Sequence, residues 1–386
     1  MKILYKEQFK IKHIIEIFAS VIILTVLFIV PYFLDKGIMD AYSRYVFPWV
    51  ALPFNMLNGC FAFSMTENAV VIGGITAVVL IVTFIVTLMR RIIFTGGTAR
   101  FLFAVISKML VITVILSFIF QLMFGLNYRR TTVKELMKFT NDDYSITAYY
   151  QALGWAYTNM LEARSKLGED YKGVAHMGLS VEEANVYANQ LLSNFSDSYD
   201  LGMTKNFVRV KPVSLSKYSS LTHIVGVYDP FAGEANINTG YVDITNFCMN
   251  LCHELSHAKG FAGETDCNII AALACTKSSR PEFRYAGFYY IFWDLYKVVY
   301  NNAVYNGGDF PQYLTKESLM PVFRDMAASD MYWEKIDNMF FSKTISEVSN
   351  DVNDTFIRLN GGDGVESYKV PQDIYLDYYM TYVREA

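Results

Sequence analysis

The chain has 386 residues, a formal net charge of −4 and a mean hydropathy of +0.23, with 53% hydrophobic and 16% aromatic content. That is too apolar for an ordinary water-soluble enzyme, and a weakly acidic balance with no Lys/Arg block in the second half argues against a nucleic-acid partner. The long apolar runs lie before about residue 125 and polar residues dominate after it, so a membrane part precedes a water-soluble part large enough for one core.

Ile14 to Leu34, Ala69 to Met89 and Leu102 to Phe124 are each long enough to cross a bilayer and carry basic residues on at least one flank. The first run has no small-residue cleavage site at its end and reads as a signal anchor. Tyr42 to Ser64 is apolar in patches but broken by Pro48, Pro53, Asn55, Asn58 and Gly59, and reads as an interfacial or re-entrant segment. A crossing there would invert everything after it. Lys2, Lys6, Lys10 and Lys12 precede the first span and Arg90, Arg91 and Arg100 separate the second from the third, whereas the first-to-second loop holds only Lys36 and Arg44. This bias places the N-terminus and the Arg90–Arg100 loop in the cytoplasm, and three crossings leave residues 131–386 on the outer face. Arg129 and Arg130 argue mildly the other way, but a long following domain weakens their vote. The division expected is a membrane region over 1–128 and a soluble domain over 131–386.

In the soluble part, Thr131 to Leu167 and Val181 to Phe195 alternate at roughly helical period. Lys211 to Asn238 is richer in β-branched and aromatic residues around an Asp229-Pro230 and Gly233 turn signal, which predicts a hairpin or small sheet. Asp243 or Thr245 can cap a helix that runs through His257 and stops at Gly260; a second helix starts near Glu264 and continues through Cys275. From Glu282 onward the chain is again mostly helical. The fold class expected is α+β, predominantly helical, with N-terminal transmembrane helices followed by a zincin-like domain that carries a small β-sheet.

His253-Glu254-Leu255-Ser256-His257 holds two of only five histidines in the chain. On a helix, positions four apart share a face, so both imidazoles can grip one Zn2+, while Glu254 is placed as the base for a water on that metal. An accident of a polar helix face would produce this pattern in roughly a few chains per thousand of such composition. Catalytic zinc takes three protein ligands and keeps one open position. The third ligand is Glu264 or Asp266; Glu264 is preferred because it opens the second helix, with Asn268 one turn later able to hydrogen-bond a ligand histidine. Donors chemically able to steady an oxyanion or contact substrate are His223, Tyr228, Arg284, Tyr285 and Tyr368. His176 sits in a Gly-rich loop and reads as solvated; His13 lies at the first membrane interface. Cys248, Cys252, Cys267 and Cys275 crowd around the motif and read first as core residues, with a Cys252–Cys275 disulfide or metal ligation as alternatives. Asn246, Asn250, Ser256 and Lys259 make the motif helix polar and it is expected to lie far from the three spans, which argues against a protease cutting inside the bilayer.

Several blocks together resemble a family of bacterial membrane proteins, domain of unknown function 3810. They are Gly226 to Asn238 (GVYDPFAGEANIN), the histidine motif, Gly260-Phe261-Ala262 and Glu264 to Asn268 (ETDCN). Tyr42-Ser43-Arg44 with Phe47-Pro48, Phe124 to Tyr128 with Arg130, Asn353-Asp354 and Gly364 to Tyr368 extend the likeness over nearly the whole chain. The resemblance implies a multi-pass protein of the bacterial cell membrane and a zinc metallopeptidase whose activity is inferred from the same histidine motif. The Glu264-to-Asn268 spacing is also similar to that of glutamate zincins such as prenyl-protein proteases, which supports Glu264 over Asp266. Asp266-Cys267 stands where Glu-Ala is common in the family, which weakens Asp266 as a ligand.

The function expected is a membrane-anchored, zinc-dependent metallopeptidase acting on a peptide or protein, with Glu254 as general base and the strand around His223 to Tyr228 pairing with an extended substrate. The alternatives are a non-catalytic zinc sensor or scaffold, closed by a fourth ligand such as Asp266 or Cys267, and a zinc amidase acting on cell-envelope material.

Overall fold

The computed structural model describes residues 2–140, 144–371 and 373–384, with side chains from residue 11 onward. Positions 141–143, inside a stretch expected to be helical, and the side chains of Lys2, Lys6 and Lys10 lie outside the described residues.

The membrane part contains α1 (Lys2–Ile29), α2 (Phe47–Gly59), α3 (Met65–Arg90) and α4 (Thr98–Met123). Among the described residues three stretches are long and apolar enough to cross a membrane: Ile11–Phe33, Met65–Thr95 and Thr98–Met123. The 26 residues of α3 reach about 39 Å, beyond the roughly 30 Å of bilayer hydrocarbon. α2, with 13 residues, reaches only about 20 Å. It is instead clamped to the soluble part. Asn206 Nδ2 donates to the Pro48 carbonyl at 2.7 Å, Lys211 Nζ donates to the Asn58 carbonyl at 2.6 Å and to that of Phe61, and Phe47 and Ala51 bury against Met123.

The start of α3 is tied down from the sheet side. Glu234, fully buried, accepts from the Met65 and Thr66 amides at 3.2 and 3.0 Å and from Ser64 Oγ at 3.1 Å. A carboxylate on the free amides of a helix N-terminus neutralises unsatisfied donors and opposes the helix dipole. Tyr32, just after α1, lies under the Arg129 guanidinium, 3.5 Å from the ring centroid. The end of α1, the start of α3 and the end of α4 therefore all meet the soluble part, and the Arg90–Arg100 turn lies at the far end of the spans.

Beyond the membrane come α5 (Ile146–Arg164), α6 (Val181–Tyr199), β1 (Lys211–Pro212), β2 (Gly226–Asp229), β3 (Glu234–Ile237), α7 (Phe247–Ala258) and α8 (Glu264–Thr276). They are followed by α9 (Pro281–Tyr305), α10 (Lys316–Asp337), α11 (Ser342–Leu359) and α12 (Ile374–Tyr382). The architecture is predominantly helical with one small sheet of order β1-β3-β2. β2 and β3 form the expected hairpin, and Gly233 sits in its turn at φ +61, where a Cβ would lie 2.8 Å from that of Phe54 on α2.

α5 and α9 pack through edge-on aromatics, Trp155 against Phe288 at 5.0 Å. A buried ion pair pins α10 to them: Arg164 Nε donates to Asp325 at 2.5 Å, and the same carboxylate accepts from Tyr285 Oη and the Ala175 amide. The core runs without a break from Phe120 on α4 and Phe124 just past it to Tyr378 on α12, so packing continues across the 128/131 boundary. His176 is exposed, as expected of its loop.

α7 is buried on all sides, which a helix tolerates only inside a core. It ends in a Schellman turn: the Gly260 amide donates to the His257 carbonyl and that of Phe261 to the Ser256 carbonyl, both at 3.1 Å, with Gly260 at φ +105. Its cap differs from expectation. The N-cap is Asn246 without a side-chain bond, because Asp243 instead folds the preceding turn, accepting from the Thr245 amide at 2.9 Å and Thr245 Oγ1 at 2.7 Å.

Candidate metal centre

The Schellman turn sets the chemistry of His257. By reversing the chain at Gly260 it aims the Phe261 carbonyl back at the helix, where His257 Nδ1 donates to it at 3.0 Å. His253 Nδ1 lies 2.8 Å from Asn268 Oδ1 on α8. Asn268 Nδ2 is itself committed to the Tyr368 carbonyl at 2.8 Å, which fixes the amide so that its oxygen faces the histidine. Both imidazoles thus carry a proton on Nδ1, and both present a bare Nε2 lone pair to the same point.

Those two Nε2 atoms are 3.1 Å apart, and Glu264 Oε2 is 3.0 Å from the first and 3.4 Å from the second. Two lone pairs and a carboxylate facing one another repel unless a positive charge lies between them. The ligand atoms all fall within 4.8 Å of one another, so His253, His257 and Glu264 could hold a metal ion, with tautomers already set by outer partners. Glu264 opens α8, where its charge also meets the positive end of the helix. Burial pushes its carboxyl up, but positive charge on His257 and His253, the charge that a metal between them would supply instead, holds it well below the usual carboxylate range. Asn268→Ala, which frees the His253 ring, is expected to weaken metal affinity about 10–100-fold, measured by competition with a chromophoric chelator.

Glu254 stands outside that cluster. It packs against the backbone of Gly226 on β2, where a Cβ would lie 2.5 Å from Glu254 Oε1 and 2.6 Å from its Cγ. Burial pushes its carboxyl up to about 8, with His253 pulling it down and Glu264 adding to the rise.

Neither competing ligand reaches the cluster. Asp266 accepts from the Val133 amide at 2.9 Å, and burial pushes its carboxyl up to about 6 against that bond and the nearby Arg130. Cys267 Sγ lies 3.3 Å from His257 Nδ1, the nitrogen turned away from the metal position. The four cysteines of this region are buried and free; Cys252 and Cys275 sulfurs are 3.8 Å apart in van der Waals contact, not bonded.

Of the five proposed oxyanion or substrate contacts, two come to the site. The Tyr228 ring stacks on His257 at 6.3 Å, and that of Tyr368 on His253 at 6.2 Å, its hydroxyl accepting from Asn353 Nδ2 at 3.3 Å. The others are elsewhere. His223 is not on a strand but at φ +58 after a 3-10 turn, bonded to Asp337 and stacked on Trp333. Arg284 donates to the Thr276 carbonyl and Asn159, and Tyr285 belongs to the Asp325 pair. Arg284 and Tyr285 satisfy partners inside the helical pack, and His223 is held by Asp337 and Trp333 at an exposed position away from the cluster.

The expectation that the motif lies far from the spans also fails. Ser256 and Lys259 are fully buried, and Phe124, just past α4, sits 5.6 Å from the His257 ring. Tyr128, four residues later, turns into this region a buried hydroxyl that has no partner among the described residues, edge-on to Phe124 at 5.3 Å. Its only sequence signal was membership in the family block around Phe124. Arg130 ties the same linker to the metal loop, donating to the Gly260 carbonyl at 2.7 Å and lying 3.7 Å over the Phe261 ring.

No curated protein and no solved structure matches the chain. A family described as protein of unknown function (DUF3810) matches residues 42–372, which covers the second and third spans, the sheet and every residue of the metal cluster, and the chain belongs to that family.

Proposed function

We propose that this protein is a membrane-anchored zinc-dependent metallopeptidase with a zincin-like domain. The observation that carries the reading is the donor set: two Nε2 atoms 3.1 Å apart, with both Nδ1 protons committed elsewhere, facing one carboxylate. Two imidazoles and a carboxylate suit zinc, which binds nitrogen and oxygen donors and in hydrolases keeps a fourth position open. When bound, zinc supplies Lewis acidity to water and to a scissile carbonyl. Glu254, beside the cluster but not of it, accepts the proton of the attacking water and passes it to the leaving nitrogen. Tyr228 and Tyr368 flank the two histidines and are the donors placed to steady the oxyanion. Metal analysis of the full-length protein in detergent, with peptide-library cleavage before and after chelation, tests the reading; a zinc-loaded protein that cuts nothing would reject it.

The seat of Glu254 gives a finer test. Gly226→Ala drives a Cβ into the glutamate and must displace it. Cleavage is expected to fall about 100-fold with zinc content unchanged, since a displacement of about 1 Å has that effect on a reacting group.

The alternative of a zinc sensor draws on burial, since His253, His257 and Glu264 are only 4–6% exposed. A closed structural site requires a fourth protein ligand. Asp266 and Cys267 both point elsewhere, which favours the peptidase.

The charge bias of the loops further supports an outward-facing domain in a bacterial cell membrane. Added protease should therefore reach residues 131–386 in spheroplasts; protection until lysis would reverse the orientation.

A further inference from the structure

We infer that the substrate is a polypeptide tethered to the bilayer, its extended juxtamembrane stretch pairing with the open edge of β2 and placing alternate side chains in an apolar groove between the sheet and α3. The inference rests on the peptidase reading and adds a substrate class to it.

The edge comes first. β2 is the outer strand, paired antiparallel to β3 with Gly226 opposite Ile237 and Val227 opposite Asn236. The Asn238 amide donates to the Val225 carbonyl at 2.7 Å, which fixes the phase of the ladder. Antiparallel pairing alternates, so Val225 and Val227 bond to β3 while Gly226 and Tyr228 turn their amides and carbonyls out of the sheet. Among the described residues no other element hydrogen-bonds to those groups. They flank the chemistry directly, Gly226 over Glu254 and Tyr228 over His257. Only a polypeptide in extended form satisfies such an edge.

The groove says where that polypeptide lies. Side chains alternate along a strand, so Val225 and Val227 face away from α7, and a peptide paired with β2 would send every second side chain to their side. There a groove of about 320 Å³ is lined by Leu215, Tyr218, Ile224 and Val227 from the soluble part and by Val70 and Val71 from α3. Its far wall is thus a membrane span. Val70 and Val71 belong to the second turn of that helix, about 8–9 Å along it from Met65, and Glu234 holds that helix end against β3. Glu67 locks the other side, accepting from the Ser214 and Leu215 amides at 2.9 and 2.7 Å. A side chain in the groove therefore touches the span where it enters the bilayer, a place that a chain anchored in the same membrane occupies at high local concentration. A lipid chain could fill the groove but would leave the edge amides of Gly226 and Tyr228 unpaired.

The test uses full-length protein in phosphatidylcholine–phosphatidylglycerol vesicles and a fluorogenic decapeptide with valine at alternate positions, either N-palmitoylated or N-acetylated. The palmitoylated peptide is expected to be cut with kcat/KM at least about tenfold higher. Val227→Asp should remove most of that advantage without lowering zinc content. A separate readout needs no turnover: in Glu254→Gln protein, hydrogen exchange at the Gly226 and Tyr228 amides should slow with the palmitoylated peptide and not with palmitate alone. Equal cleavage of both peptides, an advantage that survives Val227→Asp, or edge amides left unprotected by the peptide would overturn the inference while leaving hydrolysis standing. Protected amides with neither peptide cut would instead reject the peptidase reading and leave the docking mode.

Discussion

Glu254→Gln should lower hydrolysis by about 10²–10⁴-fold while leaving the metal in place, the range that a positioned general base supplies. The split is expected because Glu254 contributes nothing to the cluster of His253, His257 and Glu264. Its side chain instead rests on the Gly226 backbone. Glutamine has nearly the same shape, so that contact survives and only the capacity to take and return a proton is lost. Thermal stability should not fall, since burial already disfavours the charged form of Glu254 and the amide carries no charge to desolvate. Zinc content by mass spectrometry, the melting temperature and the cleavage rate on one preparation separate these effects. Retained activity above a tenth of the unmodified protein would remove Glu254 from the mechanism; loss of zinc would mean that the variant tests the metal site instead.

The parts of this molecule legible in its sequence are those set by local geometry. Two histidines four apart on a helix, a glutamate opening the next helix after a five-residue link and an asparagine one turn further on need only helical spacing to converge, and they do. The spans are equally local, a matter of length and composition. What could not be read depends on contacts between distant segments. His223, Arg284 and Tyr285 have the right chemistry for an oxyanion donor, but chemical ability does not locate a side chain, and each is held away from the cluster by a partner from another element. The same holds in reverse for Tyr128 and Phe124. They lie more than a hundred residues before the motif, and only the return of the core onto the end of α4 brings them to the histidines. The polar breaks in Tyr42 to Ser64 kept the segment from reading as a span, yet their use in clamping α2 to the sheet depends on Ala232, Glu234 and Lys211. Asp243 read as a helix cap but folds the preceding turn instead, because capping and turn bonds use the same carboxylate.

The assignment of the third ligand has the other large consequence. Glu264→Ala is expected to weaken zinc binding by more than about 100-fold, beyond the effect of losing an outer partner, because it removes one of three donor atoms and the only charge among them. Stability reports this directly. Metal at a hundred times its dissociation constant stabilises the folded state by about 2.7 kcal/mol, whereas a site weakened 100-fold gains about 0.4 kcal/mol at the same concentration. The zinc-dependent rise in melting temperature should therefore nearly vanish in Glu264→Ala. Asp266→Asn is the matched control. Its oxygen can still accept the Val133 amide, and the charge it loses faces Arg130 rather than the histidines. That variant should keep its zinc and its zinc-dependent shift, with at most a lower melting temperature in both states, since the buried Arg130 then keeps only the weaker attraction of Asp40. The opposite pattern, with zinc lost from Asp266→Asn and retained by Glu264→Ala, would require the loop between α7 and α8 to rearrange on metal binding and would hand the third position to Asp266.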